Sequence, residues 1–276
     1  RVDAVGPCVH LRAIVEFSNY CRQDCLYCGL RRSNAKIARC RMDPDEIVQA
    51  AVAAWRVHKF GTFVLQSGED PGYPPHGLAR AIRGIKASTN AAVTLSVGEA
   101  PDRCYRLWRE AGADRFLLKF ETSDPDLFAM LKPTTTLAAR MNRLRRLREM
   151  GYQVGSGIIL GLPGQDNMSV ARDLIRCGAE GYEMVSIGPF VPHPDTPLGQ
   201  RVRDQGQEED QSPGQVRAHG QTQTGTTALP NARTPDVRTT LNTMAVARLL
   251  TPMAHIPATT ALGVVGRQDG GWRGQA

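Results

Sequence analysis

The sequence lacks any apolar run near the ~18–20 residues that a membrane-spanning helix requires, so no membrane partner is expected. Aromatic residues are scarce, at 6%, and none lies between Phe190 and Trp272. No apolar stretch follows Arg1, so no secretory leader is expected there, and the missing initiator Met raises the expectation of a fragment. The cysteines number seven, an odd count, with Cys21, Cys25 and Cys28 crowded together and Cys8, Cys40, Cys104 and Cys177 scattered. That distribution argues against a disulfide scaffold. It favours a reducing compartment, a cytoplasm or an organelle matrix, and a metal site. The scattered four read as small core residues.

What is present is a chain of 276 residues, 41% apolar and 22% charged, with a formal charge of +7. A soluble globular protein with a core is expected; collagen, coiled coil and wholesale disorder are excluded. The positive balance suits an enzyme for anionic ligands as well as a nucleic-acid binder. Only the arginine-rich segment 140–148 favours the latter, and no aromatics interleave with it, so no nucleic-acid partner is expected.

Short β-branched and apolar runs recur at a steady pitch: Val9 to Phe17, Thr62 to Leu65, Ala92 to Val97, Arg115 to Phe120, Val154 to Leu160 and Glu183 to Ile187. Each reads as a buried strand, with a weaker one at Ile256 to Val265. Helical patterns lie between them. Asp43-Pro44-Asp45-Glu46 combines a capping Asp, Pro at the first helical position and an acid at the third. Gly61, Gly112, Gly151 and Gly178 stand where left-handed helix caps are expected. Strand, loop, helix and glycine, repeated six or more times, predict an α/β protein, most simply a (β/α) TIM-like barrel or an open part of one.

After Gly199 the character changes. Residues 200–235 hold seven Gln, no Ile and a single Leu, Leu229, and are expected to be disordered. Helical periodicity returns at Leu241 to Leu250, and residues 266–276 are polar and glycine-rich. The expected organisation is a barrel core at 1–199, an insert at 200–235 and a barrel remnant at 236–276. A complete eight-stranded barrel does not fit, so the barrel is expected to be incomplete at the C-terminus. The composition of the odd stretches raises the further expectation of intron-derived or frameshifted sequence.

In a parallel barrel the chemistry sits on the loops after the strands. Cys21, Cys25 and Cys28 follow the first predicted strand, at spacings of four and three. Three thiolates so spaced can converge on a cuboidal iron–sulfur cluster and leave one iron open, although structural zinc with a fourth ligand elsewhere also fits. Gly68-Glu69 follows the second strand; a glycine beside an acid suits an ammonium group, or is an ordinary turn. Glu121 ends the fourth strand, and Arg140 opens the arginine-rich helix; an Arg can fork onto a carboxylate. A tight turn, Gly161 to Gln165, follows strand five. A stiff proline loop, Gly188 to Pro197, follows strand six; its His193 reads as a ligand, a proton donor or a loop-stabilising residue.

The pattern Cys21-Arg22-Gln23-Asp24-Cys25-Leu26-Tyr27-Cys28, with an aromatic before the last Cys, resembles the radical S-adenosylmethionine (SAM) enzymes. The wording around it, with Gln66-Ser67-Gly68-Glu69-Asp70-Pro71 and Gly188 to Pro197, resembles one branch, the HydE family. These are maturases of iron–iron hydrogenase, related to methylornithine synthase and biotin synthase. The likeness covers roughly 9–199 and returns at 241–263. It implies a radical SAM barrel in which Cys21, Cys25 and Cys28 hold a 4Fe-4S cluster. Tyr27, Gly68, Glu69, Ser96, Glu121 and Arg140 fall where the family binds SAM, and Thr94, Lys119 and His193 where it meets substrate. The implied substrate is a small anionic iron complex, and the implied partners are a GTPase scaffold and a second radical SAM enzyme, in an anaerobic setting. The cysteine motif alone leaves room for an organic substrate, and the odd stretches for an inactive truncated product.

Overall fold

The computed structural model describes residues 9–210 and 234–268. Six strands form one sheet in sequential order: β1 (Ala13–Ser18), β2 (Thr62–Ser67), β3 (Ala92–Ser96), β4 (Arg115–Leu117), β5 (Gln153–Leu160) and β6 (Met184–Pro189). Every neighbouring pair is parallel. Each crossover carries helix: α1 (Pro44–His58), α2 (Pro75–Ser88), α3 (Asp102–Glu110), α4 (Pro125–Leu131), α5 (Leu137–Glu149) and α6 (Asn167–Glu180), with α7 (Pro197–Asp210), α8 (Val237–Leu250) and α9 (Thr260–Gln268) beyond β6. Parallel pairing brings all six C-terminal strand ends to one rim, where the loops after the strands open.

The near-continuous apolar runs are explained by burial on both faces. β6 is buried throughout, and β5 from its second residue. β1, at the sheet edge, alternates instead and leaves Ile14 exposed. The start expected for α1 is present: Asp43 accepts from the Asp45 N–H, and Glu46 accepts from the Asp43 N–H at 2.6 Å. The few aromatics are concentrated rather than spread. Tyr105, Phe116 and Tyr152 stack edge-to-face, with centroids 5.1 and 5.6 Å apart. The Tyr152 hydroxyl donates to the Tyr105 carbonyl at 2.7 Å, so this polar tip is satisfied inside the core.

Four expectations are corrected. The strand expected at Ile256 to Val265 shrinks to a bridge between Met184 and His255, and from Thr260 the chain is helical; Pro257 cannot donate to a ladder, and Thr259 caps the helix at the Leu262 N–H. Gly112 and Gly151 take the left-handed conformation, but Gly181 closes α6 while Gly178 lies inside it, and Lys59 rather than Gly61 caps α1. Residues 200–210, expected to be disordered, continue α7, because Leu198 is fully buried and Val202 packs with it against Phe190. Of the scattered cysteines, Cys104 and Cys177 are core residues, but Cys40 is exposed. Cys8, residues 211–233 and residues 269–276 lie outside the described residues.

β5 and β6 approach closely at Gly157, where a Cβ would sit 1.9 Å from the Ser186 carbonyl oxygen. Backbone cannot yield as a flexible side chain can. Gly157→Ala is therefore expected to cost about 1–3 kcal/mol, read as a lower urea midpoint. An unchanged midpoint would show that the two strands part freely.

Candidate functional site

A cavity of about 650 Å³ opens at the C-terminal rim of the sheet. Cys21, Cys25, Tyr27 and Cys28 reach it from the loop after β1, and Gly68 and Glu69 from the end of β2. Ser96 and Gly98 line it from β3, Lys119 and Glu121 from β4, and Arg140 and Lys132 from α5 and its lead-in.

The cysteine loop has no regular structure, so other contacts must fix it. Leu26 is held from both sides: its N–H donates to the Leu131 carbonyl at 3.0 Å, and its carbonyl accepts from the Leu198 N–H at 3.2 Å. Beneath it, Leu26 and Tyr27 pack on a small core of Leu131, Ile159, Leu162, Phe190 and Leu198. The Arg39 guanidinium donates to the carbonyls of Asn19, Leu30, Arg31 and Asn34, at 2.5, 2.9, 2.8 and 3.3 Å. Asp24, between two of the cysteines, accepts from Arg31 Nε at 2.9 Å; that guanidinium holds its carboxyl down at about 2. Gly68 is required by space, since a Cβ there would lie 2.3 Å from the Tyr20 carbonyl oxygen.

Behind the loop lies a buried charge network. Arg140 is 3% exposed. Its Nε donates to Glu99 at 2.6 Å, its Nη1 donates to the Lys119 carbonyl at 2.9 Å, and its Nη2 stands 3.8 Å from Glu69. Burial opposes its charge, but the Glu99 and Glu69 carboxylates outweigh it and raise its pKa above the ordinary value. Glu69 also accepts from Gln23 Nε2 at 2.5 Å and from Arg22 Nε at 3.2 Å. Gly98, with φ of 70°, leaves room for Glu69, whose Cγ a Cβ would meet at 2.0 Å. On the other wall, Glu121 pairs with Lys119 Nζ at 3.0 Å and accepts from the Tyr27 hydroxyl at 3.1 Å. Burial alone would lift its pKa, but the ammonium groups of Lys119 and Lys132 hold the carboxyl below its usual range.

The thiols share one wall of the cavity. Burial pushes Cys28 up to about 11 and raises Cys21, so these two remain protonated at neutral pH until a metal displaces the protons. Thiols spaced around a cavity wall fit a cuboidal cluster, which takes each thiolate at a separate iron. Arg140 supplies a second test of fit: its Nη2 is buried against the cavity with no hydrogen-bond partner, an unmet donor of the kind a carboxylate satisfies.

Most of the residues expected at the site come together here, and two do not. Thr94 lies mid-strand in β3, buried outside the rim cavity beside Arg115 and Gly155. His193 is exposed: a Cβ on Gly29 would touch its ring, and its Nδ1 accepts from the Asp195 N–H at 3.1 Å. It belongs to a loop that braces the cysteine loop, with Lys36 and Asp195 paired at 2.8 Å, and not to one crossing the cavity mouth. Lys119 does line the cavity, but Glu121 engages it. Sequence reasoning missed Gln23, Gly98, Glu99 and Lys132. Gly98-Glu99 repeats, after β3, the Gly-Glu pair that ends β2, and that repeat was a readable signal. Lys132 carried none.

Residues 15–174 match the model of the radical SAM superfamily. The FeFe hydrogenase maturase subunit HydE of Thermotoga maritima is 44% identical over 267 residues, 96% of this chain and 67% of that protein. The 3-methylornithine synthase of Methanosarcina acetivorans is 30% identical over 195 residues, 70% of this chain and 55% of that protein. The chain thus spans about two thirds of the maturase and about half of the synthase. Among solved structures, methylornithine synthase PylB superposes with a TM-score of 0.74 at 24% identity, covering 93% of this chain and 67% of that one. The maturase HydG of Carboxydothermus hydrogenoformans does so at 0.71 and 18%, covering 92% and 55%, a likeness of fold.

Removing the guanidinium from the buried network would strand Glu99 and Glu69. Arg140→Met is expected to destabilise the chain by about 3–5 kcal/mol, measured by denaturant unfolding. Equal stability in that variant would show that both carboxylates find water or other donors.

Proposed function

The chain belongs to the radical SAM superfamily and, within it, to the HydE family, and from this premise we propose that its rim cavity binds a 4Fe-4S cluster and SAM for the maturation of FeFe hydrogenase. Supporting this reading above all is one arrangement: three thiols share a cavity with buried carboxylates and an unsatisfied guanidinium. Cys21, Cys25 and Cys28 would hold the cluster. Bound there, it supplies the single electron that cleaves SAM into methionine and a 5′-deoxyadenosyl radical.

The remaining roles follow from charge. Glu69, fixed by Gln23 and beside Gly68, would accept from the SAM ammonium group. Arg140 offers its free donor to the SAM carboxylate. Glu121, oriented by Tyr27 and Lys119, and Ser96 offer acceptors to the ribose. Leu117 and Leu118 form an apolar wall beside them.

The proposed substrate is a small anionic iron complex. Lys119 remains the cavity's cation nearest that role, although its pairing with Glu121 ties it to the cofactor end as well. Thr94 and His193 stand outside the lining of the rim cavity. An adjoining space of about 510 Å³, sharing Glu16, Gln66, Leu117 and Ser186 with the rim cavity, adds Arg12 as a second cation. Other hydrogenase maturases, a GTPase scaffold and a second radical SAM enzyme, are the proposed partners, in a reducing, anaerobic compartment. No helix among the described residues is long and apolar enough to cross a membrane.

Anaerobic reconstitution tests the cluster. The chain should take up about four irons, and Ala at any one of Cys21, Cys25 or Cys28 should abolish the broad visible absorbance, while Ala at Cys104 or Cys177 should not. Uptake of zinc without iron would overturn the assignment. With the cluster in place, Glu69→Gln should weaken equilibrium SAM binding by about 1.5–3 kcal/mol, through loss of a charge-assisted contact. Unchanged affinity would remove Glu69 from the site.

A further inference from the structure

Lys132 ends helix α4 and turns back into the cavity. Its N–H donates to the Phe128 carbonyl at 2.9 Å, and the preceding carbonyl, of Leu131, receives the Leu26 N–H of the cysteine loop. The same short stretch of backbone therefore fixes both the lysine and the loop it faces. The side chain is 5% exposed. Its Nζ donates to Cys25 Sγ at 3.1 Å and lies 3.3 Å from the Tyr27 hydroxyl.

Lys132 differs from the other cations of the cavity. Arg140 and Lys119 each have a carboxylate within ion-pair distance. Lys132 has none among the described residues; its two close partners are a thiol and a phenol. A buried ammonium is costly unless a negative charge answers it. The protein places that ammonium 3.1 Å from a sulfur of the cysteine motif, with Glu121 as the carboxylate that feels its charge from further off.

We propose that Lys132 is an electrostatic positioning residue of the cluster, acting through Cys25 to favour the thiolate-bound cluster and, more strongly, its one-electron-reduced form. The inference rests on the cluster reading above. Reduction brings one electron from a low-potential one-electron donor and neither forms nor breaks a bond. It adds a unit of negative charge within reach of the ammonium, where the attraction is little screened. A cation held at one cluster thiolate therefore raises the reduction potential, just as hydrogen bonds to cluster sulfurs do.

The test compares Lys132→Met, which keeps length and loses charge, with Lys132→Arg, which keeps charge. Each is reconstituted anaerobically in the full chain and assayed for iron content, then titrated with redox mediators under electron paramagnetic resonance. The Met variant should hold the parent's iron but show at least a tenfold smaller reduction equilibrium constant, a midpoint lower by about 59 mV for one electron. The Arg variant should stay near the parent. A Met variant with full iron and an unchanged midpoint overturns the proposal. If Met holds no iron, Arg decides: iron retained by Arg supports the role of charge, and iron lost from both means that Lys132 only fills space. A parent chain that takes up no iron would instead sink the cluster reading, and this inference with it.

Discussion

The buried guanidinium of Arg140 holds the rim of the sheet together. Glu99 reaches it from the segment after β3, Glu69 from the end of β2, and the Lys119 carbonyl from the end of β4. Three loops with no regular structure thus share one cation carried on helix α5. A planar fork of five donors can serve several acceptors at fixed angles, which an ammonium cannot do. The site is built around a charge that would be prohibitive if any of its partners were absent.

The cysteine loop depends on a second constraint, independent of charge. Its middle residue, Leu26, is pinned by backbone hydrogen bonds between helices α4 and α7, and its apolar side chain enters the small core those helices share with Phe190. The proline loop after β6 supports the same core, which accounts for its stiffness. Four prolines in the stretch from Pro189 to Pro197 lower the entropy lost on ordering, so the loop can brace its neighbour without a ladder of its own. That role explains why His193 lies outside the cavity: the chain needs its backbone there, with the Thr196 hydroxyl donating to the His193 carbonyl at 2.8 Å.

Much of this was legible in the sequence because the period of the apolar runs reports burial directly. β2, β5 and β6 read as continuous apolar stretches because both faces of the sheet are covered. The residues on strand ends were legible for the same reason: once the strands are located, Glu69, Ser96 and Glu121 must meet at one rim. Groups that arrive from off the strands were harder. Lys132 follows a seven-residue helix, and nothing in its spacing marks it as inward-facing. Gln23 sits among the cysteines as an unremarkable polar residue until Glu69 is placed beside it. Thr94 entered through the resemblance rather than through its place in the strand, and it is buried mid-strand, outside the lining of the rim cavity. The helical continuation to Asp210 escaped because its anchoring apolar residues, Leu198 and Val202, lie at its start and the polar composition beyond them dominates.

The charges around the cavity divide it in two. Three carboxylates, Glu69, Glu99 and Glu121, face three cations, Arg140, Lys119 and Lys132, at this end of the sheet, so these six charges nearly cancel. The carboxylates are already engaged: Glu99 by Arg140, Glu121 by Lys119 and Tyr27, and Glu69 by Gln23 and Arg22. Two of the cations have donors left over. One donor of Arg140 lacks a hydrogen-bond partner, and the Lys132 ammonium has only a thiol and a phenol. Fixed donors with no protein acceptor require no reorganisation when an anion arrives, and in a partly desolvated cavity their effect is large. The two sites of unspent positive charge thus call for two different negative groups. The first is a carboxylate at the base of the cavity, near the end of β2; the second is a thiolate-bound group at the cysteine loop. The difference between these two sites gives the cavity a direction.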